Sequence, residues 1–223
     1  MNSPSHPFDT PLRRHQLVTV VPAAWDRLLS VRADLADEPL LREWARNAWP
    51  LVVRRPLPGE GEGIPLGLPL PPWAGKRRIA LQINVDDIAA LMPLPALPDV
   101  LGTAPDAWKP CLRELIALAL RYDVDARVFG SLAWQWLTGL NYVAPGSDVD
   151  LTWTVPRRHR IGGFLDELAA LDARAPVRID GEVLRADGAG ANWRELHAGG
   201  EIALKTANDV VLVTQHAFLL AFA

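Results

Sequence analysis

One cysteine, Cys111, is all the thiol that this chain of 223 residues holds. A disulfide within the chain is thereby excluded, as are zinc sites built on two or four cysteines, and a reducing cytoplasm suits the composition. Cys111 opens an apolar helical pattern with Leu112, Leu115, Ile116, Ala119 and Leu120, which gives the thiol a packing role. Histidine is sparse too: His6, His15, His159, His197 and His216 form no pair at metal-ligand spacing. No uninterrupted apolar run reaches the roughly 18–20 residues of a membrane helix, and the first residues are too polar and proline-broken for a secretory signal. Excess positive charge is also missing, since 23 Lys and Arg face 26 Asp and Glu for a net charge of −3. A general nucleic-acid binder would show a strongly basic face. These absences predict a cytoplasmic protein with neither nucleic acid nor membrane as partner.

Proline and glycine, by contrast, are plentiful and unevenly placed. Residues 1–14 are rich in Pro, Ser and Arg and read as a flexible arm. Residues 15–92 carry strand patterns over 15–21, 51–54 and 78–83, with helices starting at Pro22 and Pro39. Between 54 and 78 lies a loop dominated by Gly and Pro, with Arg54, Arg55, Lys76, Arg77 and Arg78 at its ends. A long irregular stretch inside a compact protein is a candidate functional loop, and those cations suit phosphates. They equally suit the solvated ends of two strands. Pro93, Pro95, Pro98 and Pro105 mark residues 93–107 as a linker before a larger domain over 108–223.

The chemistry gathers in that second domain, between 130 and 150. Arg127-Val128-Phe129 reads as a strand ending at Gly130, and Ser131 is placed to cap a helix through Leu132, Trp134, Trp136 and Leu137. A Gly-Ser turn at a helix start offers N–H groups and a hydroxyl to an anionic oxygen. Downstream, residues 148–155 alternate with the period of a strand: Asp148, Asp150, Thr152 and Thr154 on one face, Val149, Leu151, Trp153 and Val155 on the other. Neighbouring carboxylates repel unless a cation offsets them, and Mg²⁺ is held by one or two carboxylates plus phosphate oxygens. A lone Asp-x-Asp also occurs in surface turns, so a third acid matters. Residues 176–184 read as another strand, after a helical pattern over 161–173. If it neighbours the first, Asp180 reaches the same site; Glu182 is the alternative. Lys205 suits a phosphate if its strand lies beside the acidic one, and otherwise is an ordinary edge lysine.

Gly130-Ser131, Asp148-Val149-Asp150 and the later acid resemble the nucleotidyltransferase superfamily. The sixteen residues between Ser131 and Asp148 imply a longer helix or exit loop than is usual there. With Arg54-Arg55-Pro56, Ile64-Pro65-Leu66-Gly67-Leu68-Pro69, Gly75-Lys76-Arg77-Arg78-Ile79-Ala80, Gly130-Ser131-Leu132-Ala133-Trp134-Gln135, Ser147-Asp148-Val149-Asp150-Leu151 and Asp180-Gly181-Glu182, the chain resembles one family. It is the malonate decarboxylase holo-acyl-carrier-protein synthases, or phosphoribosyl-dephospho-CoA transferases. The resemblance implies an α+β fold: a nucleotidyltransferase-like mixed sheet with helices in the C-terminal half, after a smaller α+β domain. It implies transfer of the phosphoribosyl-dephospho-CoA group from triphosphoribosyl-dephospho-CoA to a serine of the apo acyl-carrier subunit of malonate decarboxylase, releasing pyrophosphate. Asp148 and Asp150 would then bind one or two Mg²⁺ ions. Asp180 or Glu182 would complete the metal site and help deprotonate the serine, and Gly130 and Ser131 would hold pyrophosphate. The basic loop ends and Lys205 would meet donor phosphates. Two other readings share the acidic strand: a nucleotidyltransferase using an ordinary nucleoside triphosphate, and a catalytically silent adaptor.

Overall fold

Pro22 and Pro39 each take the first position of a helix, where the missing N–H costs nothing; the helices are α1 (Pro22–Val31) and α2 (Pro39–Trp44). The computed structural model describes residues 12–35, 37–155 and 160–222. The predicted arm falls largely outside the described residues, and the chain divides into two units at Pro93 and Leu94. Among the described residues no helix is long and apolar enough to cross a membrane.

The first unit is an antiparallel sheet of β1 (Leu17–Val20), β2 (Leu51–Val53), β3 (Ile64–Pro69), β4 (Arg78–Ile83) and β5 (Ile88–Met92), ordered β4-β3-β2-β1-β5. Trp25 and Trp44 from α1 and α2 are buried in its core, each indole N–H donating to a backbone carbonyl, of Leu41 and Pro50 respectively. The stretch read as a Gly/Pro loop contains an interior strand, β3. Two prolines and a glycine disguise it, yet Leu66 and Leu68 alternate into the core, wholly buried, and β3 pairs with β2 and β4 on either side. Apolar alternation outweighs the weak strand propensity of the residues between.

The second unit is built from α3 (Lys109–Tyr122), β6 (Asp125–Phe129), α4 (Gly130–Thr138), β7 (Val149–Thr154), α5 (Ile161–Asp172), β8 (Ile179–Leu184), β9 (Gly190–Asn192), α6 (Trp193–Ala198), β10 (Glu201–Lys205), β11 (Val210–Thr214) and α7 (Gln215–Leu220). Its sheet runs β11-β10-β9-β8-β7-β6, mixed because β7 and β8 are parallel while the other neighbours are antiparallel. The architecture is therefore α+β, with a mixed sheet in the C-terminal half. A parallel pair needs a crossover, which α5 supplies. Phe164 and Leu168 of α5 bury the apolar face of β7, with the Trp153 and Phe164 rings edge-to-face at 5.3 Å.

Residues 93–107 are packed rather than strung between the units. Leu97 and Val100 are fully buried in the second core. The Val128 N–H donates to the Pro95 carbonyl at 2.9 Å, and the Leu97 N–H to the Ala126 carbonyl at 3.1 Å. A proline cannot donate but its carbonyl accepts, so a Pro-rich segment can still cover the β6 edge.

Candidate active site

The antiparallel pairing of β6 and β7 sets Phe129 opposite Asp150, so α4 starts beside that carboxylate. Gly130 is left-handed at φ +66°, and a Cβ there would fall 1.9 Å from Asp150 Oδ2. Only glycine fits. Helix α4 begins at Gly130 with Phe129 as its N-cap and no side-chain cap, so Ser131 lies inside the first turn and does not cap the helix. The left-handed turn of Gly130 starts the helix two residues earlier than a Ser131 cap would. Ser131 Oγ makes no hydrogen bond among the described residues, and the half-buried hydroxyl stands in the α4 first turn.

The parallel pairing of β7 and β8 places Asp150 directly beside Asp180, and Thr152 beside Glu182. Thirty residues of sequence are closed into adjacent positions on one sheet face. Asp148 lies just before β7, where the Val149 N–H donates to the Arg178 carbonyl at 3.0 Å. The Arg178 guanidinium spans the acids, with Nη1 3.6 Å from Asp148 Oδ2 and Nη2 3.7 Å from Asp180 Oδ2. These are loose pairs, and Arg178 keeps 57% of its side chain exposed.

Asp180 is held more closely by its own surroundings. Its Oδ1 accepts from Asn192 Nδ2 at 3.0 Å and from the Gly181 N–H at 2.9 Å. Gly181 has no room for a side chain, since a Cβ would lie 2.2 Å from the Leu151 carbonyl oxygen. Asn192 also caps α6 by accepting from the Arg194 N–H at 2.9 Å. Arg194 pairs with Asp172 at the end of α5 and donates to the Ile179 carbonyl at 2.9 Å. Asp172 holds the Arg194 pKa above its ordinary value, with Asp180 and Asp148 adding to the pull. In return the Arg194 guanidinium holds the Asp172 carboxyl below the usual carboxylate value.

Glu182 and Lys205 meet each other. Glu182 is 5% exposed, and Lys205 Nζ donates to its Oε1 at 2.9 Å. Strand β10 pairs with β9, not with the acidic β7, so Lys205 arrives from across β9. In the first unit, Arg54 pairs with Glu60 and donates to the carbonyls of Arg55 and Leu66 at 2.8 and 3.0 Å, knitting the ends of the 54–64 segment. Arg77 pairs with Glu38. Arg55, Lys76 and Arg78 make no ion pair among the described residues, and Lys76 and Arg78 are exposed.

Among the described residues, no three His, Cys, Asp or Glu side chains converge as a metal cluster. Mg²⁺ ordinarily takes one or two carboxylates and completes its shell with water and substrate phosphate. Asp148 and Asp150, beside the open α4 turn, fit that donor set, whereas a protein-only triad with Asp180 does not. Arg178, Asn192 and Arg194 were not singled out from the sequence. Arg178 carried a signal, since it stands two residues before Asp180 and so continues the same alternation.

Comparison with known proteins gives one consistent result. Residues 13–93 match the family "Phosphoribosyl-dephospho-CoA transferase MdcG N-terminal domain", and residues 93–216 match the corresponding C-terminal domain. A phosphoribosyl-dephospho-CoA transferase from Bradyrhizobium diazoefficiens is 47% identical over 220 residues, covering 98% of this chain and 97% of the relative. One from Xanthomonas campestris pv. campestris is 40% identical over 200 residues, covering 88% and 91% respectively. One from Xanthomonas axonopodis pv. citri is 36% identical over 215 residues, covering 93% and 97%. No solved structure matches the chain.

Proposed function

The chain belongs to the phosphoribosyl-dephospho-CoA transferase family, and from that premise we propose that it loads an apo acyl-carrier subunit, that of malonate decarboxylase, with its prosthetic group. The donor is triphosphoribosyl-dephospho-CoA and the second product is pyrophosphate. The serine oxygen of the carrier bonds to the α-phosphorus, the bond from that phosphorus to the β-phosphate oxygen breaks, and the serine proton passes to a carboxylate. The observation that carries the assignment is the register of Asp150 beside Asp180, with Gly130 closing on Asp150.

Each side chain then has a part. Asp180, oriented by Asn192 and the Gly181 N–H, accepts the serine proton. The first-turn N–H groups of α4 and the Ser131 hydroxyl receive the departing pyrophosphate. Arg178 and Arg194 supply fixed positive charge beside the phosphates. Asp148 and Asp150 would hold Mg²⁺, and when bound it would supply charge that offsets the phosphates. Cytoplasmic location accords with a single buried cysteine.

Intact-mass measurement of the apo carrier after incubation with this protein, Mg²⁺ and the donor is the direct test. A gain equal to the phosphoribosyl-dephospho-CoA group is expected from the wild type and none from Asp150→Ala. A gain with ATP in place of the donor would point to ordinary nucleotidyl transfer instead.

A further inference from the structure

Beside the acids lies a groove of about 580 Å³ whose apolar walls no step above uses. Its walls come from three places in the second unit: Pro105 and Trp108 leading into α3, residues 143–147 leading into β7, and Pro176 and Val177 leading into β8. Asp148 and Arg178 belong both to this groove and to the acidic site. One side is thus apolar and the other charged. The volume falls in the range of small-molecule sites, roughly 300–1,000 Å³. A second, shallower depression lined by Asp172, Arg178 and Arg194 continues from Pro176 and Val177.

Resting on the transferase reading, we infer that this groove seats the adenine of the dephospho-CoA portion, with Trp108 as its stacking platform. Trp108 is half-buried, and its indole N–H has no hydrogen-bond partner among the described residues. An indole flanked by proline and valine forms a flat apolar slot, which suits an aromatic base rather than a flexible amide-bearing arm. Arg178 stands where the slot meets the carboxylates. Its long contacts to Asp148 and Asp180, 3.6 and 3.7 Å, leave its donors available to a phosphate. Base in the slot, phosphate at Arg178 and reacting phosphorus at the acids form one continuous path.

Calorimetry with the full chain tests this using dephospho-CoA, AMP and pantetheine as probes. Dephospho-CoA is expected to bind, AMP to compete with it and pantetheine not to compete. Trp108→Phe, which keeps a ring, should bind within about threefold of wild type, and Trp108→Ala about tenfold more weakly or worse. Because Trp108 also packs on the core, Ala144→Phe is the second variant; it fills the groove from its rim without removing a core side chain. A folded Ala144→Phe that binds dephospho-CoA like wild type, or displacement by pantetheine alone, would overturn the subsite. Carrier loading separates the two readings. Loading by Ala144→Phe at an unchanged donor KM removes the subsite and leaves the function. Groove-dependent binding of dephospho-CoA with no loading by wild type removes the function and leaves the subsite.

Discussion

Gly130 and Asp150 occupy a space that admits one side chain and not two: a Cβ on Gly130 would lie 1.9 Å from Asp150 Oδ2. The turn that opens α4 and the acidic strand are therefore a matched pair, coupled through the Phe129–Asp150 register. Gly130→Ala must strain a left-handed φ and displace the carboxylate. We expect about 1–3 kcal/mol of lost stability and about 100-fold slower carrier loading, the scale of a misplaced reacting group. Thermal melts and a mass-based loading assay read the two effects separately.

Asp148→Asn and Asp150→Asn keep shape and remove charge. Both are partly exposed, so folding should survive. Loading is expected to fall about 100-fold or more, as for other groups that face transition-state charge. Circular dichroism with loading kinetics checks the separation of fold from chemistry.

Lys205→Met removes the cation from a nearly buried carboxylate. A fully buried pair broken on one side costs about 3–5 kcal/mol; with 28% of the lysine side chain exposed, we expect about 2 kcal/mol by the same reasoning. The companion change Glu182→Gln should recover part of that loss. Urea unfolding of both single variants and the double variant measures the coupling. Normal stability in Lys205→Met would mean that the pair does no structural work.

Acid stability should report the Asp172–Arg194 pair. The folded-state pKa of Asp172 lies below its ordinary value of 3.8, chiefly through the Arg194 hydrogen bonds. A depressed carboxyl stabilises the fold fully above its unfolded-state pKa and loses that contribution as pH falls through the folded value. Asp172→Asn should thus be less stable than wild type at pH 7. The gap should begin to shrink below about pH 4, where the unfolded chain takes up the proton, and close once the pH falls below the folded-state value and both chains are neutral at this position. Equal gaps at pH 7 and pH 3 in urea titrations would contradict it.

Burial pushes the Cys111 thiol up to about 11, with Glu114 adding to the rise. The thiolate is the reactive form, so thiol reagents at pH 8 should leave the native chain unlabelled and label it fully in denaturant. Rapid labelling of the native chain would show that the second core opens locally.

The acidic strand was legible because polar and apolar residues alternate along it without a break: Val149, Leu151 and Trp153 are buried and Asp150 stays partly open, although Thr152 on the polar face is buried too. Strand β4 was legible at both ends for the same reason. Strand β3 was not, because proline and glycine are local punctuation marks and only the pairing with β2 and β4 reveals that the buried leucines prevail. The site was half legible. Spacing placed Asp148 and Asp150 together, whereas Asp180 joins them through a pairing that no local pattern specifies. Asn192 and Arg194 come from a three-residue strand and a six-residue helix, too short to leave a period. The Lys205–Glu182 contact passes across β9 and so depends on strand order alone.

The parallel pairing of β7 with β8 also sets when the acidic cluster can exist during synthesis and folding. The antiparallel β6–β7 pair closes over α4 alone, but Asp180 reaches Asp150 only after α5 has crossed over and packed. Such non-local closures come late in folding. Asp180 is therefore apart from Asp148 and Asp150 in the nascent chain, and the repulsion it adds is met only once the core beneath the sheet can bear it.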